Sequence, residues 1–143
     1  MEAFAIRGAL IYDGSGAEPY RGDLLARDGR IESVGPSGSI ASTGTRSIDA
    51  KGMSLSPGFI DAHSHSDISM LAAPEGFGKR PQGVTTEIVG NCGLSAFPLT
   101  GPVREHLREI YREYNEELNW EDLSGYAKEL ERRRPALNIA SLC

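Results

Sequence analysis

Gly58-Phe59-Ile60-Asp61-Ala62-His63-Ser64-His65-Ser66-Asp67 changes within ten residues from apolar side chains to groups that bind metals. Pro57-Gly58 opens the stretch, and Phe59 and Ile60 read as the buried part of a strand. Strand side chains alternate between faces, so His63, His65 and Asp67 are expected on one side, two imidazoles and a carboxylate converging on a point. That set suits a hard or borderline cation. The bland alternative is a pair of surface histidines in a polar turn, and the strand leading into the motif argues against it.

Working outward, the residues after Pro57 alternate strand with helix, which favours a parallel sheet. The strand over 58–62 is followed by a second at Val84 to Val89, β-branched in its first three positions, and a third at Leu137 to Leu142, just after Pro135. Between these last two, Pro102 suits a first helical turn, and Val103, Leu107, Ile110, Tyr111, Tyr114 and Leu118 recur at helical spacing. Asn119 is the expected cap of a second helix with Asp122 in its first turn. Trp120, Leu123, Tyr126, Ala127 and Leu130 form its expected buried stripe. Arg132, Arg133 and Arg134 read as the charged C-terminal end of that helix rather than as a phosphate site.

Before Pro57 the pattern is all-β. A strand over 3–13 ends in Asp13-Gly14, and two strands flank Asp28-Gly29, a strong hairpin mark. Residues 36–46, rich in Gly, Ser and Thr, read as a surface loop, and short strands follow near 47–50 and 53–55. Residues 1–55 are thus expected to form short antiparallel strands, a partial β-sandwich, and residues 56–143 a separate α/β unit.

The two ends of those parallel strands supply the chemistry. His63 and His65 close the first, and Cys92, in Gly90-Asn91-Cys92-Gly93, follows the second. Imidazole nitrogen and thiolate sulfur are natural zinc ligands, and a catalytic zinc keeps one position open for water. A buried, inert cysteine is the structural rival for Cys92. Asp61 alternates away from the histidines and is expected to bond backbone or loop groups. Asp67 is open between orienting a histidine or substrate and plain solvation. Asn91 is expected to make the turn, its rival role being an amide hydrogen bond to substrate. His106 reads as a surface residue, and no role is assigned to Cys143.

The string GFIDAHSHSD (58–67) together with GVTTEIVGNCG (83–93) resembles the amidohydrolase superfamily, and the GNCG element is most similar to the N-acyl-D-amino-acid deacylases, or D-aminoacylases. The resemblance implies a TIM-type (β/α)8 barrel, of which residues 56–143 would hold the first three βα units. It implies that the small sandwich is completed by strands from the C-terminal end of the full protein, leaving an open edge here. It also implies metal at His63, His65 and Cys92, one or two zinc ions, and water attack on an acyl amide. Family members continue with further histidines and an aspartate general base, which are expected beyond Cys143. A closed barrel takes ~250 residues, so the chain is expected to be truncated and inactive alone. The rivals are a cyclic-amide hydrolase of dihydroorotase or hydantoinase type, which the GNCG cysteine disfavours, and a non-catalytic fragment that binds metal or a partner.

Composition narrows the partners. With 15 basic against 20 acidic residues and a net charge of -5, the chain has no basic field for nucleic acid or anionic lipid. No run approaches the ~20 apolar residues of a membrane span, and Met-Glu-Ala-Phe does not open a signal peptide. A cytoplasmic protein acting on a small-molecule substrate is expected, with no disulfide between Cys92 and Cys143. Association with the missing barrel half, or with a second copy, is the further expectation.

Overall fold

The computed structural model describes residues 3–41 and 44–143. Met1 and Glu2 of the polar start, and Ser42 and Thr43 of the predicted 36–46 loop, lie outside the described residues. The chain divides into two compact units at Pro57/Gly58.

The first unit is one five-stranded sheet of β1 (Ala3–Ile11), β2 (Tyr20–Arg27), β3 (Arg30–Pro36), β4 (Arg46–Asp49) and β5 (Ser54–Leu55). The Asp28-Gly29 hairpin joins β2 to β3, both turn residues taking positive φ (51° and 75°), the geometry that makes Asp-Gly a hairpin signal. Strand order is β3-β2-β1-β4, with β5 pairing further along β1. β4 and β5 run parallel to β1, which corrects the all-antiparallel expectation. The reason lies in the connection after β3, which crosses β2 and β1 before the chain re-enters the sheet. Gly38 N–H donates to Asp23 Oδ2 on β2 (2.8 Å), and Arg7 Nη1 on β1 donates to Ile40 O (2.8 Å), pinning that crossing. Asp23 also receives Gly8 N–H and Arg7 Nη1, so one buried carboxylate ties two strands and a loop together. A small core of Ala9, Ile11 and Ala50 sits beneath. Within this unit the described residues form no second sheet, and Ile31 and Val34 on β3 remain exposed.

The second unit holds β6 (Phe59–Asp61), β7 (Val84–Val89) and β8 (Asn138–Ser141), parallel and in sequential order. Phe59 and Ile60 are 60% and 64% exposed, contrary to the buried strand expected there. The core lies elsewhere: Ile68, Leu71, Ala96, Phe97, Leu99, Leu107, Leu118, Trp120 and Tyr126 pack the helices against the loops beyond the strand ends. The short α1 (Ser69–Ala72), which sequence periodicity did not reveal, contributes Met70 and Leu71 to the buried residues.

α2 (Gly101–Ile110) begins with Pro102 in its first turn, as its pattern predicts. It is shorter than the apolar spacing suggested, because a 3-10 turn follows and Asn115 adopts a left-handed conformation (φ 50°) that ends helical geometry. Leu118 is buried after that break, on a segment without regular secondary structure, whereas Val103 and Ile110 of the predicted stripe are exposed.

α3 (Leu123–Arg133) is capped by Asp122, whose Oδ1 accepts Gly125 N–H at 2.8 Å, and not by Asn119. Trp120 therefore precedes the helix, buried with its Nε1 donating to Ala96 O (2.7 Å), and Leu123 faces solvent. Arg132 pairs with Glu129, as a charged helix end should. Arg133 does more: it grips Glu116 through its two terminal guanidinium nitrogens and donates to Leu71 O, joining α1, the 115–118 segment and α3.

Candidate metal centre

β6 stops at Asp61, so His63 and His65 stand on the turn that follows and not on a strand. They still share a side, with ring centroids 5.4 Å apart in an edge-on arrangement. Cys92 reaches them from the end of β7. It has φ 58°, a left-handed conformation unusual for a residue with a side chain, between Gly90 at φ 81° and Gly93 at φ 74°. Gly90 is required twice over, since a Cβ there would also lie 2.4 Å from Leu142 O. The bend places Cys92 Sγ 3.4 Å from His63 Nε2. One ligand atom from each of His63, His65 and Cys92 lies within 4.8 Å of the others, and all three residues are exposed.

Ligands at ~2.05 Å and ~2.3 Å from a tetrahedral zinc stand ~3.5 Å apart, so the nitrogen to sulfur spacing fits a shared ion. Backbone strain of this kind gathers at binding sites, where the surroundings hold a conformation that is otherwise sparsely populated.

The structure sends Asp67 the other way. Because its segment is a turn, strand alternation does not apply, and the side chain is fully buried instead of sharing the histidine face or being solvated. Its backbone carbonyl accepts the buried Tyr126 hydroxyl at 2.7 Å. Neither carboxylate oxygen has a hydrogen-bond partner. Burial pushes its pKa up to about 6; backbone N–H dipoles, including those of Gly90 and Ala96, and the His65 charge oppose this from outside hydrogen-bonding geometry.

Asp61 bonds loop groups, its Oδ1 accepting His63 N–H (3.2 Å) and its Oδ2 accepting Lys79 Nζ (2.7 Å). The Lys79 ammonium holds its carboxyl below the usual carboxylate range. Asn91 builds the turn, donating from Nδ2 to Ser64 O (3.1 Å) and Ile88 O (2.8 Å). His106 is on the surface, and Cys143, exposed and unpaired, stands apart from the three-residue cluster.

Three residues escaped the sequence reading: Ser64, Lys79 and Glu87. Lys79 Nζ donates to Ser64 Oγ (2.7 Å) and lies 3.3 Å from Glu87 Oε1, while Ser64 Oγ donates to Glu87 Oε2 (2.8 Å). Burial works against the Lys79 charge, but Asp61 and Glu87 together raise its pKa above the ordinary lysine value. A glutamate in the middle of the run VTTEIV was the available signal, since an unpaired charge is rarely placed in a strand flanked on both sides by other strands.

Residues 46–143 match the amidohydrolase family. The chain is 46% identical over 97 residues to an N-acyl-D-aspartate deacylase of Alcaligenes xylosoxydans xylosoxydans, an alignment covering 68% of this chain and 19% of that enzyme. The structure of an N-acyl-D-glutamate deacylase from Bordetella bronchiseptica, solved with zinc and a phosphonate mimic of the tetrahedral intermediate, superposes with a TM-score of 0.81 at 38% identity, over 97% of this chain and 28% of that one. A D-aminoacylase with a binuclear metal centre superposes at 0.79 with 32% identity, over 97% and 29%. The chain thus spans 19% to 29% of the length of these relatives. No helix among the described residues is long and apolar enough to cross a membrane. With most of its length matched to one family and the paired imidazoles and cysteine sulfur in place, the chain belongs to the amidohydrolase family.

Proposed function

We propose that the chain is part of a zinc-dependent amidohydrolase that hydrolyses the amide bond of N-acyl-D-amino acids. The observation that carries this reading is the convergence of His63, His65 and Cys92 from two neighbouring strand ends. A zinc ion held there would supply Lewis acidity toward the acyl carbonyl and make water a better nucleophile at neutral pH. His63, His65 and Cys92 would hold it, and one or two ions are compatible with a solvent-exposed donor set. Asn91 holds the histidine turn against the end of β7, keeping the two halves of the site in register. The parallel β6-β7-β8 sheet supplies the first strands of a (β/α)8 barrel, and active sites of such barrels lie at the C-terminal strand ends, where these residues stand. The enzyme works on a small-molecule substrate, in the cytoplasm, with other strands of the barrel supplying the proton-transfer group.

The test is zinc content and hydrolysis of N-acetyl-D-aspartate and N-acetyl-D-glutamate by the full-length enzyme that contains this chain, with the L-isomers and a hydantoin as controls, for the wild type and Cys92→Ala. Zinc bound through Cys92 together with turnover of the D-isomers supports the reading. Turnover of the hydantoin alone, or zinc content indifferent to Cys92, overturns it.

A further inference from the structure

We propose that Lys79, Ser64 and Glu87 form a positioning network that sets the spacing of His63 and His65, and so tunes how tightly the site holds its metal ion; this rests on the metal reading given above.

Ser64 lies between the two histidines in sequence and is only 3% exposed. Its hydroxyl has a single proton, which goes to Glu87 Oε2, so both lone pairs remain to accept. Lys79 Nζ takes one at 2.7 Å, and Ser66 Oγ, 2.9 Å away, donates to the other. The hydroxyl is saturated, which fixes the rotamer of the residue that separates the two imidazoles.

The backbone on either side is held as well. His63 N–H donates to Asp61 Oδ1, Ser64 N–H donates to Ile88 O (3.0 Å), and Ser64 O accepts from Asn91. Lys79 joins these strands by bridging Asp61 at the end of β6 to Glu87 on β7. Glu87 is fully buried, and its contacts with Lys79 and Ser64 offset the desolvation of its carboxyl group. Two acidic side chains flank the one Lys79 amine, so acidic groups outnumber basic ones beside the turn that carries both histidines. That acidic excess favours a bound dication.

Cobalt(II) reports the outcome, because its absorption, including the thiolate charge-transfer band, depends on ligand geometry. Ser64→Ala and the charge-balanced pair Lys79→Met/Glu87→Gln are expected to weaken cobalt and zinc binding roughly 10- to 100-fold in chelator competition, and to shift the cobalt spectrum. Lys79→Arg, which keeps the charge, should recover much of the affinity. Glu116→Gln, in the distant Arg133 clamp, lowers stability without changing metal affinity. Folded Ser64→Ala protein with wild-type affinity and spectrum overturns the proposal, as does an equal loss in Glu116→Gln. If the double variant does not fold, Ser64→Ala decides alone. A wild type that takes up no metal through Cys92 overturns the metal reading itself and this inference with it, whereas wild-type binding with indifferent variants overturns only the network.

Discussion

Cys92 Sγ stands 3.4 Å from His63 Nε2, although the two residues are 29 positions apart and lie on turns that follow different strands. This contact requires the left-handed turn at Cys92 and the parallel pairing of β6 with β7, since either change would carry the thiol away from the imidazole.

Replacing Cys92 by Ala removes the one soft ligand of the set. Zinc affinity should fall by more than the ~10- to 100-fold lost when only a partner behind a ligand is removed. Metal analysis after gel filtration and chelator competition measures it, and unchanged affinity would take Cys92 out of the site.

Gly90→Ala should be more damaging than an exposed glycine substitution usually is. The added Cβ meets Leu142 O and the residue must keep φ near 81°, so a loss of about 1–3 kcal/mol in urea unfolding is expected. Because the same turn carries Cys92, metal affinity should fall together with stability.

Tyr126→Phe leaves the carbonyl of Asp67 without its buried donor while keeping the ring packed against Phe97 and Trp120. Thermal and urea denaturation should show a destabilisation of about 1–3 kcal/mol. A neutral substitution would mean that the turn beyond His65 is held by other contacts.

Asp23 supplies a pH test in the first unit. Burial raises its pKa, but the Gly38 and Gly8 N–H groups and Arg7 outweigh that, and the folded value lies below the ordinary one. A depressed carboxyl contributes stability that is fully present above its unfolded pKa and is lost as pH falls through the folded one. The stability gap between wild type and Asp23→Asn, about 1–3 kcal/mol at neutral pH, should therefore stay constant down to about pH 5 and shrink below about pH 4. A gap that widens on acidification would contradict this assignment.

Much of this was written in local sequence. Asp28-Gly29 marks its hairpin because few residue pairs accept two positive φ angles, and Val84 to Val89 is a strand by β-branched content alone. His63, His65 and Cys92 were recognisable because their donor atoms define a chemistry wherever the backbone puts them.

Other features depended on partners far along the chain. Phe59 and Ile60 look like core residues, yet both remain mostly exposed, because burial is decided by what packs against a side chain and not by its own polarity. Asp67 was placed with the histidines by strand alternation, but the strand ends six residues before it and the turn directs it inward. Helix limits at Asn115 and Asp122 followed capping geometry that apolar spacing does not encode.

From the sequence by itself came the ligand types, the strand and turn signals around them, and the resemblance to a hydrolase family, because each resides in a short run of residues. Tertiary structure alone decided that Lys79 and Glu87 meet at Ser64, that β4 and β5 run parallel to β1, and that a carboxylate beside the histidines is buried without a partner. Those outcomes depend on which distant segments share a few ångströms of space, and that is fixed only when the whole chain has packed.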